Sequence, residues 1–549
     1  MSNRRRNRTL VFILFVVVVV VFLTNIPLMY GYLNQPPHLK FMGIVAGVHD
    51  TNFYFMLMIQ ADGWSPVLHN YFMGSGTGAI YHGLFWFLLG KAAHVLPISD
   101  VAAFQGARIA ATLLFVPVAY WFASRFLESS AERCTALVLI TLGAGAGWAP
   151  MLLYRTTGTL SLFPADVATP EATPFFTMMT FPHLALALVL VALCFGLVET
   201  SLSTQKLWPA AVGGICGAFL GFVHAVNLVV LCAVLGAFLV AAVLFLRDSR
   251  PVKPIVVFGI LSVWPIVYYL YLVLTKMALL PHIAERSPSP LSYIVGFAPL
   301  AILSLIYVIH VITERAWSIH DVFLVCWVAV NSLLLYSYPL LLQEARAVLG
   351  LHLPLAILST RGVFRVILPW LYGNTSDAAD GRKKIGEFVI PALVIALTLP
   401  STFYNIFERV SRLRDYPESF SLMHAEYEAL GFLHDLPDGS VVLSGEWIGN
   451  YVPRLTRKRA WLGLHGVDSH ETQLNQAKAF FSARTSAAER YDFLKRNEIG
   501  YVYYGMDERK LGNFDPETAE FLEPVFQNST VRIYRFRGEE EPYARSETI

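Results

Sequence analysis

An aspartate at position 50 has a histidine before it and a threonine, an asparagine and a tyrosine close behind, in the run His49-Asp50-Thr51-Asn52-Phe53-Tyr54. A carboxylate in that setting can act as a general base, taking the proton of an acceptor hydroxyl as the hydroxyl attacks. The same pattern also suits the start of a helix, where Asp or Asn caps an apolar-aromatic run. Arg108 lies inside an apolar stretch. An arginine there costs about 2.5 kcal/mol or more at a bilayer centre, so it must face a bundle interior or a water-filled cavity and find a partner. Its planar fork suits a phosphate; a structural pair or a reach towards lipid headgroups is the other reading. Arg346, in Gln343-Glu344-Ala345-Arg346, has its acidic neighbour two positions away. Residues at that spacing do not face each other on a helix, so Arg346 looks elsewhere. His183, after Phe181-Pro182, and His224, after Phe222-Val223, stand at the edges of apolar runs without metal-ligand spacing. Each reads either as a hydrogen-bonded residue at a span end or as part of a polar pocket.

These residues are positioned by a ladder of apolar segments. The 549-residue chain is 55% hydrophobic and 15% charged, whereas soluble proteins carry about 25% charged residues. Most of it therefore has lipid as its solvent. Eleven segments approach the ~20 residues that span a bilayer: 10–31, 102–126, 134–153, 178–198, 208–223, 225–246, 254–275, 292–312, 320–338, 349–369 and 386–405. The stretch 208–246 is too long for one span and divides at His224-Ala225-Val226-Asn227. Arg4, Arg5, Arg6 and Arg8 precede the first apolar run, and no small-residue cleavage site follows it, which favours a retained helix over a signal peptide. With that terminus cytoplasmic, the short loops carrying Arg133, Lys206, Arg247, Arg250, Lys253, Arg315, Arg382, Lys383 and Lys384 are cytoplasmic too. The long segments 32–101, 154–177, 276–291 and 339–348 and the chain after 411 then lie outside.

The fold class expected is an α-helical polytopic membrane protein of about eleven transmembrane helices with a C-terminal extracytoplasmic α/β domain. The division is 1–410, including the long first outer loop 32–101, and 411–549. Within the loop, 52–59 and 79–96 show helical spacing, the second as a helix lying along the membrane surface. In the tail, 440–444, 461–464, 499–504 and 531–536 read as strands, and 471–484 and 487–497 as helices. The net charge of +2 gives no reason to expect nucleic acid. The five cysteines all fall in or beside apolar runs, so neither a disulfide framework nor a cysteine metal site is expected. The tail contains no phosphate-binding glycine loop and no nucleophile elbow.

The long first outer loop with an aspartate after the first span resembles the GT-C superfamily of integral membrane glycosyltransferases. The chain is more specifically similar to a bacterial, distantly protein mannosyltransferase-like group. The similarity rests on 50–64, Phe181-Pro182-His183, Phe222-Val223-His224, 343–357 (QEARAVLGLHLPLAI) and the tail stretch 445–472. The paired acidic residues of the mannosyltransferase-like members are replaced here, with His at 49 and Thr at 51, so Asp50 is a single carboxylate. The resemblance implies inverting transfer of a sugar from a polyprenyl-phosphate donor to a glycan, lipid or protein acceptor outside the cytoplasmic membrane. It implies Asp50 as base, Arg108 and Arg346 on the donor phosphate, and His49, Asn52, Tyr54, His183 and His224 lining the substrate pocket. No cofactor is required, and a divalent metal is possible. A polysaccharide ligase or polymerase, a transporter or flippase, and a non-catalytic binder of lipid-linked glycans are the alternative readings.

Overall fold

Long apolar runs can satisfy their backbone in hydrocarbon only as helices, and the computed structural model follows that rule. It describes residues 3–63, 65, 67–72, 74, 79–80, 83–159, 162–275, 285–372, 380–437, 439–463 and 470–538. Among these, seven helical segments are long and apolar enough to cross a membrane: Asn7–Leu33, Asp100–Phe126, Pro182–Thr204, Ala225–Phe245, Pro290–Thr313, Glu344–Tyr372 and Gly386–Asp415. Val252–Ser262 and Trp264–Leu274, bent by 44°, make an eighth if the pair is one span. The chain is a multi-pass membrane protein.

Three of the eleven expected spans come out differently. Trp208–Val223 and Ile319–Leu334 are helices of 16 residues each. The expected span 134–153 is broken into Ser130–Leu142 and Trp148–Thr157. Between them lies Gly143-Ala144-Gly145-Ala146-Gly147, where glycine at every second position removes helix propensity. Distant groups satisfy the freed backbone. Ala144 N–H donates to Thr398 O at 3.0 Å and Ala146 N–H to Val295 O at 3.1 Å. Ser401 Oγ donates to Gly145 O at 3.0 Å, and Thr402 Oγ1 to Leu142 O at 2.6 Å. The buried Asp166 carboxylate accepts from the N–H groups of Gly145 and Gly147 at 3.0 and 3.1 Å. A Cβ on Gly145 would meet Gly296 O at 1.9 Å, so only glycine fits the crossing.

The chain divides into two compact units, 1–29 with 104–275 and 284–411, and 30–103 with 276–283 and 412–549. The sequence reading assigned the first loop to the membrane domain; the structure groups it with the C-terminal region. The first unit is held by a large apolar core that includes Phe115, Phe122, Leu188, Phe195, Trp327 and Leu353, with a smaller cluster around Phe175, Phe176, Met179 and Ile406. One end of this unit is closed by ionic groups. Arg361 pairs with Asp321 and donates to Phe126 O at 2.7 Å, while Tyr307 donates to Asp321 at 2.8 Å. Arg365 lies 3.3 Å from Glu128, and His320 lies 3.2 Å from Glu199.

In the second unit, a five-stranded sheet runs in the order Arg459–Ala460, Val441–Leu443, Ile499–Tyr504, Arg532–Phe536 and Leu522–Gln527. The first two pairings are parallel and the last two antiparallel. Helices His470–Phe481 and Ala487–Arg496 match the sequence reading. The strand expected at 461–464 instead forms at 459–460, and 464 lies outside the described residues. Leu522–Gln527 was not expected. Its Pro524 argues against a central strand, and the edge position is where proline is tolerated. In the first loop the helices are Val48–Ile59 and Leu84–Val95. Ala79–Ile80, read as helical, pairs instead with Leu68–His69 as a short antiparallel ladder.

Candidate active site

Three of the expected residues meet in the membrane unit, away from its ionic end. His183 follows Pro182, which occupies the first helical position of Pro182–Thr204 with its fixed φ and absent N–H. His224 separates Trp208–Val223 from Ala225–Phe245. Its φ of −153° breaks the helix, yet its N–H still donates to Leu220 O at 2.6 Å. Arg346 belongs to the short 3-10 turn Glu344–Val348. The two imidazoles and the Arg346 guanidinium lie close enough to interact electrostatically. His224 is 6% exposed, and neither of its ring nitrogens has a hydrogen-bond partner among the described residues. Leaving such groups unsatisfied costs about 1–3 kcal/mol each.

Amides and carboxylates to which the sequence reading gave no role hold this cluster. Asn331 Nδ2 donates to Ala347 O at 2.8 Å, and Asn227 Nδ2 to Leu349 O at 3.5 Å, fixing the C-terminal side of the turn that carries Arg346. Glu344 accepts from Tyr338 N–H at 2.7 Å and Ser287 N–H at 3.3 Å. Arg346 Nε donates to Glu285 at 2.8 Å, and its side chain keeps about a third of its surface open. The signal for Asn227 and Asn331 was present in the sequence, since an amide within an apolar span is expensive unless it is used.

Arg108 was expected on the donor phosphate. It is 1% exposed and ringed by neutral oxygens. Its Nε donates to Gln105 Oε1 at 2.7 Å, Nη1 to Met178 O at 2.8 Å, and Nη2 to Asn25 Oδ1 at 2.6 Å. The guanidinium thus ties three helical segments together.

The remaining expected residues lie in the second unit, on Val48–Ile59. Gly47 precedes this helix with φ +53°, a left-handed conformation that glycine accepts without strain. Asp50 is exposed in the first turn, where the helix dipole favours a carboxylate. Asn52 was expected in the substrate pocket. Two residues on, roughly 200° around the helix, it is fully buried and its Oδ1 accepts from Arg454 Nη1 at 3.0 Å. Arg454 also donates to Met42 O at 3.1 Å and sits 3.9 Å over the Phe55 ring. Burial brings the Arg454 guanidinium down to about 10. Tyr54 stacks on Trp86 with ring centres 4.1 Å apart, and His49 is half-buried beside Asp50. Among the described residues no group of three or more His, Cys, Asp or Glu side chains could hold a metal ion.

No family model and no curated protein matches the chain. Solved membrane enzymes do. The chain is similar to the Archaeoglobus fulgidus oligosaccharyltransferase in the apo form, with TM-score 0.57 and 10% identity over 90% of this chain and 69% of that one. It is similar to ArnT from Cupriavidus metallidurans bound to undecaprenyl phosphate, with TM-score 0.52 and 10% identity over 96% and 97% of the two chains. It also matches the mycobacterial arabinofuranosyltransferase AftD, with TM-score 0.54 and 14% identity over 98% of this chain and 40% of that one. The chain has the GT-C fold. The resemblance read from the first loop and the short His and Arg motifs is therefore borne out at the level of fold. The GT-C architecture includes the C-terminal β-containing region as well as the helices.

Proposed function

We propose that this chain is a membrane glycosyltransferase. It transfers a sugar from a polyprenyl-phosphate donor to an acceptor hydroxyl on the extracytoplasmic face, with inversion. The N-terminus is then cytoplasmic and the C-terminal domain extracytoplasmic. The observation that carries this reading is His224. A buried imidazole with both nitrogens unsatisfied, beside a second histidine and a partly open arginine, suits a polar headgroup that enters a helical bundle. Solved GT-C proteins bind such carriers, ArnT with undecaprenyl phosphate and the archaeal AglB with dolichol phosphate.

In the reaction, the acceptor oxygen attacks the anomeric carbon from the side opposite the phosphate, and its proton passes to Asp50 as the new C–O bond forms. The bond from the anomeric carbon to the phosphate oxygen breaks, and its electron pair leaves with the polyprenyl phosphate. Arg346 meets the charge that grows on this leaving group, an electrostatic role that strengthens in the transition state. His183 and His224 hydrogen-bond the donor headgroup. Arg108 is left with a structural task.

The test is sugar transfer by the purified protein from a polyprenyl-phosphate-linked donor. Asp50→Asn lowers kcat by about 10²- to 10⁴-fold, the usual worth of a general base, while donor binding persists. Arg346→Met weakens donor binding and transfer together. Full transfer by Asp50→Asn would remove Asp50 from the mechanism. Donor binding without transfer by the unaltered protein would favour the non-catalytic binder.

A further inference from the structure

Arg346 stands beside an acid that the transfer reaction does not use. Its Nε donates to Glu285 at 2.8 Å, and the two side chains keep 34% and 43% of their surface open. A half-exposed pair of this kind adds little to stability, so the fold does not depend on it. Glu344, the other acid of the turn, differs. It is 4% exposed, and its two oxygens accept from the N–H groups of Ser287 and Tyr338. The charge of Glu344 serves the backbone, whereas that of Glu285 meets whatever approaches Arg346.

The backbone holds Glu285 in place. Its N–H donates to Leu342 O at 3.0 Å, and its O accepts from Ala345 N–H at 3.4 Å. Ser287 N–H reaches Glu344 at 3.3 Å, and Tyr336 Oη donates to Pro288 O at 2.9 Å. Residues 285–288 are thereby stitched to 336–345, the stretch that leads into Arg346. Arg286, the next cation along the chain, lies over the Tyr338 ring, 3.3 Å from its centre. The Glu285 carboxylate can release the guanidinium by turning about its own side-chain bonds, but it stays beside it.

A carboxylate in that position distinguishes the two lipids of the proposed reaction by charge. The donor is a phosphodiester with one negative charge. When the bond from the anomeric carbon to the phosphate oxygen breaks, the electron pair stays on the phosphate and leaves a monoester. With a second pKa of about 6, a monoester carries roughly −1.5 to −2 at pH 7. A guanidinium alone therefore holds the product more tightly than the donor. An anion fixed on the same guanidinium acts in the opposite sense, since it repels the product more than the donor. Both anions lie within a Debye length, about 8 Å at physiological salt, so screening does not separate them. We infer that Glu285 is a selectivity residue that keeps the released polyprenyl phosphate from outcompeting the donor at Arg346. The inference rests on the donor reading above and gives a role to a residue which that reading leaves idle.

The experiment measures binding by the full-length protein in nanodiscs at pH 7.5. The probes are undecaprenyl phosphate, a monoester, and its methyl ester, a phosphodiester on the same chain. The unaltered protein binds the methyl ester at least as tightly as the monoester. Glu285→Gln keeps an acceptor for Arg346 and removes the charge; it tightens the monoester about tenfold and the methyl ester about threefold, as one charge removed a few ångströms away in a largely aqueous setting implies. Glu285→Asp, which keeps the charge, keeps the preference of the unaltered protein. Arg346→Met weakens both lipids. Glu314→Gln, at an exposed acid elsewhere in the same unit, changes neither. Glu285 is half-exposed and its backbone bonds do not involve the side chain, so its variants fold. The inference is overturned if Glu285→Gln leaves the ratio of the two affinities unchanged, or if Glu285→Asp moves that ratio as far as Glu285→Gln does. Failure of the unaltered protein to bind either lipid would bring down the donor reading itself, and the role of Glu285 with it.

Discussion

Two arginines with the same chemistry have opposite fates in this chain, and burial decides between them. Arg346 keeps part of its surface open beside two imidazoles, whereas Arg108 spends its donors on Gln105, Met178 and Asn25. Arg108→Met leaves several buried oxygens without donors and destabilises the protein by about 3 kcal/mol or more. Its molecules that remain folded bind donor with unchanged affinity, and thermal unfolding paired with a donor-binding assay separates the two effects. Glu508 supplies a second residue-scale prediction. It is fully buried and accepts from Gly445 N–H at 2.5 Å and Gly505 N–H at 2.8 Å. Burial outweighs these bonds and raises its carboxyl to about 7. A carboxyl raised on folding favours the protonated native state. Its stability contribution is full below the unfolded value of about 4.3 and declines as pH climbs to about 7, by about 3 kcal/mol in all. Unfolding midpoints measured from pH 4.5 to 7.5 should fall more steeply for the unaltered chain than for Glu508→Gln.

At the scale of elements, the site depends on segments that hold Arg346 from outside its own turn. The helix Ile319–Leu334 contributes Asn331, whose amide grips Ala347 O. Asn331→Leu leaves that carbonyl unsatisfied at a cost of about 1–3 kcal/mol. It should also raise the KM for donor more than it lowers kcat, because the Arg346 turn loses its anchor while the base is untouched. Steady-state kinetics against donor concentration would show the split. The elements themselves were largely legible: composition alone placed the long helices, the break at His224 and most of the sheet. The exceptions have local causes. Glycine at 143, 145 and 147 broke a helix that hydropathy had read as continuous, and a proline concealed the edge strand Leu522–Gln527. The site was less legible because residue type does not reveal which face is buried. Asn52 and Asp50 are neighbours in sequence, yet one helix turns the first onto Arg454 and the second to solvent.

For the whole molecule, the proposed orientation is testable without any substrate. Ser529 is exposed in the C-terminal region, and Ser249 is exposed in the basic connection before Val252–Ser262. A membrane-impermeant thiol reagent should label Ser529→Cys in intact cells and label Ser249→Cys only after permeabilisation. Reversal of that pattern would invert the topology and with it the side on which sugar is transferred. The interrupted helix between Leu142 and Trp148 also bears on how the chain is made. Ser401 Oγ, which caps Gly145 O, is synthesised 256 residues after its partner, and Thr398 and Thr402 arrive with it. A ribosome adding about 5–20 residues per second reaches these groups more than ten seconds after the break has left it. Until then, the open amide of Ala144 and the carbonyls of Leu142 and Gly145 need water or the insertion machinery to shelter them. Biogenesis of this protein is thus paced by its last long helix, and a chain truncated before residue 398 should stay bound to the translocation apparatus.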